Sequence, residues 1–195
     1  LVHRPKLTIA TALVFFHRFY ARQSFKKHDR SIVATACLHL AGKVEETPRK
    51  LSMAIQIAHH VRHKGKREPI DPKSQEFAKQ KEMMLTSERV LLHTVAFELS
   101  IEHPYTFLLQ MVKKVASDKT LCKELVQTSW NFVNDSYGTN LCLQYPPREI
   151  AAAMVFLSGK YVKLKDPDSK VGNAEPSSVS RIEKAKGGTS SDSQF

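Results

Sequence analysis

The segment ATACLHLAGKVEETP, residues 34–48, joins an apolar helical pattern to a charged end. Its apolar residues recur at three- and four-residue spacing, which is typical of a helix with one face in a core. Asp29 is a suitable N-cap for this helix, and Pro48 stops it. Glu45 and Glu46 lie at the C-terminal end, where the helix dipole disfavours each anion by about 0.3–1 kcal/mol. They do not stabilise their own helix, so we interpret them as partner-facing groups or as anchors for the following loop.

A related segment, AAAMVFLSGKYVK, begins at residue 151, which is 117 positions after the start of ATACLHLAGKVEE. Ala, Ala, Leu, Gly and Lys coincide between the two segments. At the same offset, TIATALVFFHRFY from residue 8 shares Thr, Phe and Tyr with LVQTSWNFVNDSY from residue 125. Two matches at one offset, in one order, predict a duplicated helical unit. The alternative is that unrelated helices share patterns of small residues.

The remaining helical patterns set the fold class, because no strand-like alternation separates them. Helices are predicted at residues 7–22, 30–46, 51–63, 74–97, 103–115, 121–137 and 147–163. The fold is therefore predicted to be all-α. We place a first helical unit at residues 1–99 and a second at residues 100–165. Residues 166–195 are rich in Ser and Gly with few apolar residues, so we predict a disordered tail.

The composition is that of an ordinary soluble protein, with 195 residues, 42% hydrophobic and 25% charged. No apolar run approaches the roughly 18 residues of a membrane-spanning helix, and no secretory pattern precedes the first helix. Because position 1 is leucine and not methionine, we expect the sequence to be a fragment. The net charge is +11, and the last thirty residues hold four cations and five anions, so the excess lies in residues 1–165. Nucleic acid, an acidic partner and general solubility all fit this charge.

Neither the cysteines nor the histidine-rich stretch of the sequence has the pattern of a metal site or a catalytic site. Three cysteines, widely spaced and without a CxxC pattern, favour reduced thiols over a disulfide or a zinc site. The stretch HHVRH, residues 59–63, lacks the glutamate of the HExxH zinc motif. Nucleophile elbows, phosphate-cradling glycine loops and kinase signatures are also absent from the sequence. We therefore predict no metal site, no cofactor and no enzymatic activity.

Glu88 is placed on an apolar helix face by its neighbours. Met84, Leu91 and Val95 form a stripe at helical spacing, and Glu88 falls inside it. A carboxylate on an apolar face is costly unless it is paired or lies at an interface. One interpretation is a structural bridge to Lys43 across adjacent helices, and the other is a contact with a partner.

Six motifs, taken in order, resemble the cyclin family. They are HRFY (17–20), LAGKVEETP (40–48), SERVLL (87–92), EHPYTFLL (102–109), WNFVNDS (130–136) and LQYPPREIAAA (143–153). They look most like the transcriptional cyclins T and K, and within those a plant-type cyclin T, over residues 5–165. This resemblance implies tandem cyclin boxes. A cyclin box has five helices, so the first box would start at its second helix and the second box would end after its third.

The resemblance also implies a function in the nucleus. Cyclins of this class are regulatory subunits that bind a cyclin-dependent kinase and hold its αC helix inward, and that kinase phosphorylates the tail of RNA polymerase II. Lys43 and Glu88 match the positions that hydrogen-bond the kinase backbone beside αC. Glu45 and Glu46 would face the kinase as well. Leu40 and Leu92 are candidate apolar contacts, although core packing is the stronger interpretation of each.

A basic patch supports an alternative function from another class. It consists of Arg62, Lys64, Lys66 and Arg67. RNA, an acidic partner or the phosphorylated polymerase tail could dock on it, and an ordinary solvated loop is the simpler interpretation. The alternative to a kinase regulator is a cyclin-fold nucleic-acid-binding general transcription factor, which the net charge of +11 would suit.

Overall fold

The computed structural model describes residues 6–66, 68–116 and 118–165, and every regular element within them is an α-helix. The helices are α1 (Lys6–Tyr20), α2 (Arg30–Val44), α3 (Leu51–Arg62), α4 (Gln75–Thr94), α5 (Pro104–Val115), α6 (Lys119–Ser136), α7 (Leu141–Gln144) and α8 (Pro147–Lys165). The all-α prediction is confirmed. Among the described helices, none has the length and apolar character needed to cross a bilayer. The predicted disordered tail, residues 166–195, lies outside the described residues.

Side-chain caps or a first-turn proline start several of the described helices, among them α2, α5 and α6, and the sequence predicted two of these starts, Asp29 and Pro104. The Asp29 carboxylate accepts hydrogen bonds from the backbone N–H groups of Ser31 and Ile32, at 2.8 and 3.1 Å. Asp118 caps α6 in the same way. Pro104 occupies the first turn of α5, where its missing N–H has no intrahelical partner to lose. The two aspartates supply acceptors for N–H groups that would otherwise be unsatisfied.

Several predicted helix ends were too long, among them the first, predicted to reach residue 22 but ending at Tyr20. Two others share one physical cause. The second helix was predicted to reach Glu46 but ends at Val44, and the fourth was predicted to reach Phe97 but ends at Thr94. The physical reason is the same at both ends. Glu46 and Phe97 have φ angles of 52° and 56°, in the left-handed region, and this conformation turns the chain away from the helix axis.

The packing of the helices repeats along the chain. In the first part α1, α3 and α4 pack on α2, and in the second part α5, α6 and α7 pack on α8. The pairs α1–α2 and α6–α8 are those that the 117-residue offset relates. The sequence did not predict α7, a single turn between α6 and α8 that also contacts α1. Each unit is therefore built around one central helix.

Helix α1 contributes to both hydrophobic cores. Phe15 and Phe19 are buried in a cluster with residues of α2 and α4. Ala10 and Val14, on another face of α1, are buried in a cluster with residues of α5, α6 and α8. The two units therefore meet along α1, and a polar residue on the same helix can contact either of them. Thr11 is such a polar residue, and it is fully buried.

Candidate functional site

The candidate site is the C-terminal end of α2, which we call the α2 end and define by Lys43, Glu45 and Glu46. Helix α4 packs beside α2 and brings the Glu88 carboxylate against this end. The Lys43 ammonium donates to Glu88 Oε1 at an Nζ–Oε1 distance of 2.5 Å. The Lys43 side chain is 48% exposed, whereas that of Glu88 is 8% exposed. A buried acid therefore holds a half-exposed base in place.

The surroundings of Glu88 match the predicted apolar stripe. Met84, Leu91 and Val95 are all buried, and Glu88 is buried among them. The bridge to Lys43 is one of the two interpretations that the sequence left open. This bridge does not use all the hydrogen-bond donors of Lys43, because an ammonium has three and Glu88 Oε1 accepts from one of them. The exposed part of Lys43 can still donate to a partner.

His39 is a member of this site that sequence reasoning missed. Its Nδ1 lies 3.3 Å from Glu88 Oε2, and its side chain is 7% exposed. The signal available in the sequence was its position four residues before Lys43, which places both on the same face of α2. Both oxygens of the buried carboxylate therefore have a partner, as a buried charge requires. The equivalent position in the second unit is Phe156, 117 residues later.

The two glutamates of the α2 end differ in their surroundings. Glu45 Oε1 accepts a hydrogen bond of 2.6 Å from Thr11 Oγ1 on α1, which agrees with the loop-anchor interpretation. The hydroxyls of Thr8 and Thr47 add a second link of 3.0 Å between α1 and the same loop. Glu46 is exposed and has a left-handed backbone. Glu45 therefore fixes the loop, and Glu46 offers its carboxylate to the outside.

The two apolar candidates pack against the core of the first unit at different depths. Leu40 is 4% exposed and belongs to the core cluster of the first unit. Leu92 is half-buried and packs against the same cluster. Leu40 therefore supports the α2 end from beneath, in the core role that the sequence favoured.

The basic patch is split by an ion pair. Arg62 Nη2 lies 2.6 Å from Asp29 Oδ2, so this cation is bound to the N-cap of α2. Lys64 and Lys66 are exposed in the following loop, and Arg67 lies outside the described residues. The cation of Arg62 is therefore partly neutralised at its own helix junction.

The predicted absence of a metal site concerns His59 and its neighbours. His59 is buried, its ring packs edge-on against that of His63, and its Nε2 lies 3.9 Å from Glu76 Oε1. Within the part of the chain that the structure describes, no three His, Cys, Asp or Glu side chains are grouped to hold a metal ion.

Comparison with known proteins gives one family. Residues 3–100 match the family described as the cyclin N-terminal domain. Cyclin-T1-3 of Oryza sativa subsp. japonica is 47% identical over 165 residues, covering 84% of this chain and 33% of that protein. Cyclin-K of Homo sapiens is 42% identical over 159 residues, covering 81% of this chain and 26% of that protein. The chain thus spans about a third or less of the length of these relatives.

A solved structure has the same fold. A chain of the yeast RNA Pol II CTD kinase CTDK-1 complex superposes with a TM-score of 0.71 at 20% identity, over 90% of this chain and 53% of that one. At this identity the likeness concerns the fold alone. Since the matched cyclin domain spans half of the sequence, the chain belongs to the cyclin family.

Proposed function

We propose that this chain is a regulatory cyclin subunit that binds and activates a cyclin-dependent kinase of the transcription-elongation class. The kinase would phosphorylate the C-terminal tail of RNA polymerase II, which places the chain in the nucleus. Its own role is regulatory and not enzymatic. The observation that carries this proposal is the α2 end, where the buried Glu88 holds the half-exposed Lys43 beside the exposed Glu46.

The geometry suits recognition of a kinase backbone. A lysine held by a buried carboxylate loses little side-chain entropy on binding, so more of its hydrogen-bond energy is available for affinity. Lys43 can donate to carbonyl oxygens, and Glu46 can accept from N–H groups. Such contacts beside the αC helix would hold that helix inward, which is the position in which the kinase Lys–Glu pair forms.

The relatives support this class of cyclin over others. Cyclin-T1-3 and Cyclin-K share 47% and 42% of their aligned residues with this chain. The motifs LAGKVEETP and EHPYTFLL, which carry the resemblance to transcriptional cyclins, lie at the α2 end and at the start of α5. The substrate of the kinase follows from that class and belongs to the same proposal.

The test is activation of an elongation-class cyclin-dependent kinase on a polymerase-tail peptide, with the chain titrated into the kinase. Lys43→Ala and Glu88→Ala should each lower activation at least about tenfold, corresponding to about 1.4 kcal/mol of binding free energy. Lys160→Ala is the matched control, because Lys160 is exposed and occupies the position of Lys43 in the second unit. Circular dichroism checks that each variant is folded. Equal activation by all four proteins would contradict the proposal.

Nucleic-acid binding is the second candidate, favoured by the net charge of +11. It predicts affinity for duplex DNA that falls by about 10³–10⁵ between 50 and 200 mM salt for six to ten phosphate contacts. A double substitution, Lys64→Ala with Lys66→Ala, should weaken that binding and leave kinase activation unchanged. Steep salt dependence without any kinase activation would favour this candidate over the cyclin subunit.

A further inference from the structure

A line of buried polar groups crosses the junction between the two helical units. Thr11 Oγ1 lies 2.8 Å from His103 Nε2, and His103 Nδ1 lies 2.7 Å from the Tyr137 hydroxyl. Thr11 also donates to Glu45 at 2.6 Å. Thr11, His103 and Tyr137 are all buried. The line therefore runs from the end of α6, past the start of α5 and through α1, to the α2 end.

The donors and acceptors along this line have a single consistent direction. A carboxylate only accepts, so the Thr11 hydroxyl hydrogen points to Glu45. Thr11 Oγ1 then accepts from His103, which places the imidazole proton on Nε2. Nδ1 is left as an acceptor for the Tyr137 hydroxyl. Every group is matched only when His103 is neutral.

The environment of His103 favours that neutral form. Burial disfavours the charged imidazolium and lowers the pKa of His103, while the charge of Glu45 acts in the opposite direction. A hydrogen-bond chain that ends on a carboxylate is polarised along its length, which strengthens each bond in it. Such a chain also restricts where its last member can lie, because each bond requires a defined distance and angle.

We propose that Tyr137, His103 and Thr11 are positioning residues through which the second helical unit fixes Glu45 and, with it, the geometry of the α2 end. This inference rests on the proposed kinase-binding function of that end. Lys43 lies two residues before Glu45, and Glu46 follows it directly. A displacement of Glu45 therefore moves both of them. The junction between the units thereby sets the affinity for the kinase without contacting it.

The first experiment uses the free chain and needs no kinase. The ¹³C resonance of the Glu45 carboxyl is recorded in the wild type, in Tyr137→Phe and in Tyr105→Phe. Tyr105→Phe is the matched control, since its hydroxyl donates to Asn134 Oδ1 within the second unit, outside the line. The resonance should shift in Tyr137→Phe alone. An unchanged Glu45 resonance in Tyr137→Phe would contradict the proposal that the line positions Glu45.

The second experiment measures the affinity of the same chains for the kinase. Thr11→Val and Tyr137→Phe should weaken binding about tenfold, Thr11→Ser should restore it, and Tyr105→Phe should bind like the wild type. Val133→Ala, a core change one turn before Tyr137 that removes no hydrogen-bonding group of the line, controls for loss of stability alone. Combining Tyr137→Phe with Glu45→Gln should weaken binding no further than the stronger single change.

The outcomes separate the two proposals. A wild-type chain that does not bind the kinase contradicts the proposed function, whatever the Glu45 resonance shows. A wild-type chain that binds, with Thr11→Val and Tyr137→Phe binding equally well, contradicts the positioning role. Weakening by Val133→Ala to the same degree, at equal loss of stability, would also contradict it, because the effect would then be general destabilisation.

Discussion

Glu88 on α4 holds the ammonium of Lys43 at 2.5 Å while burying its own carboxylate. The second carboxylate oxygen is bound by His39. The pair is therefore asymmetric: the acid belongs to the core and the base to the surface. This asymmetry separates the effects of substitutions on folding from those on binding.

The asymmetry predicts that Lys43→Met destabilises the fold by about 1.5–3 kcal/mol, the contribution typical of a hydrogen bond to a charged group. The cause is the buried Glu88 carboxylate, which loses its cationic partner and keeps only His39. Urea unfolding followed by circular dichroism measures the change. Lys160→Met, at the equivalent exposed position of the second unit, should lower the free energy of unfolding by less, because it loses only an exposed contact of the ammonium with the Phe156 ring, 5.0 Å from the ring centroid. Equal stability of the two variants would contradict the prediction.

His39 is expected to stabilise the fold through the hydrogen bond between its Nδ1 and Glu88 Oε2. His39→Phe copies the residue of the second unit and leaves Glu88 Oε2 without its donor, which should cost about 1–3 kcal/mol. His39→Asn keeps a donor near the Nδ1 position and should recover part of that loss. The double variant His39→Phe with Glu88→Leu replaces the buried polar pair by apolar groups, so it should be about as stable as the wild type. It should still fail to activate the kinase. Unfolding and activation assays on the three proteins test these statements.

The left-handed backbone of Glu46 should make the folded chain less stable than it would be with glycine at this position. Its φ of 52° is left-handed, and this conformation costs a non-glycine residue about 1–2 kcal/mol. Glu46→Gly is therefore expected to raise the melting temperature, with the gain reduced by the greater freedom of glycine in the unfolded chain. Ala96→Gly, at the same φ after α4, should give a similar gain. Only Glu46→Gly should weaken kinase binding, and a loss of binding in both would argue against a contact by Glu46.

The neutral His103 predicts how stability depends on pH. Because burial lowers the pKa of His103 in the folded chain, the unfolded chain takes up a proton first as the pH falls below about 6.5. Stability should therefore decrease as the pH falls from 6.5 through the folded-state pKa. The groups facing the imidazole are Thr11, Tyr137, Tyr105 and Glu45.

Urea unfolding at pH 7.5 and pH 5.5 measures this dependence. The chain contains nine histidines, so the comparison is made with His103→Gln, which cannot titrate at that position. The variant should be less stable at pH 7.5 and should lose less stability on acidification than the wild type. An equal loss in both proteins would show that His103 does not supply the pH dependence.

Short-range patterns along the chain determine where the helices form. Three- and four-residue spacing located seven of the eight described helices, and Asp29 and Pro104 marked two of their starts. The stripe of Met84, Leu91 and Val95 correctly placed Glu88 on a buried face. These features depend on neighbours within a few residues, so the sequence contains them directly. The one-turn helix α7 was missed because four residues are too few to show a period.

Besides the predicted kinase contacts, two sequence predictions about the helical units stay predictions. They are the division at residues 99 and 100, and the set of box helices, from the second helix of the first box to the third helix of the second. The structure adds that α1 contributes to the cores of both units, a fact that no local pattern contains.

The site itself was decided by packing between distant segments. The sequence alone determined that the α2 end is charged and that Glu88 is buried, but left open whether Lys43 pairs with it. The contact between α2 and α4 decided that pairing, and it also selected His39. The link from Thr11 to His103 spans 92 residues and depends on how α1 is rotated between the two cores. Periodicity places a residue on a helix face, whereas only the relative position and rotation of packed helices bring two faces to within hydrogen-bond distance.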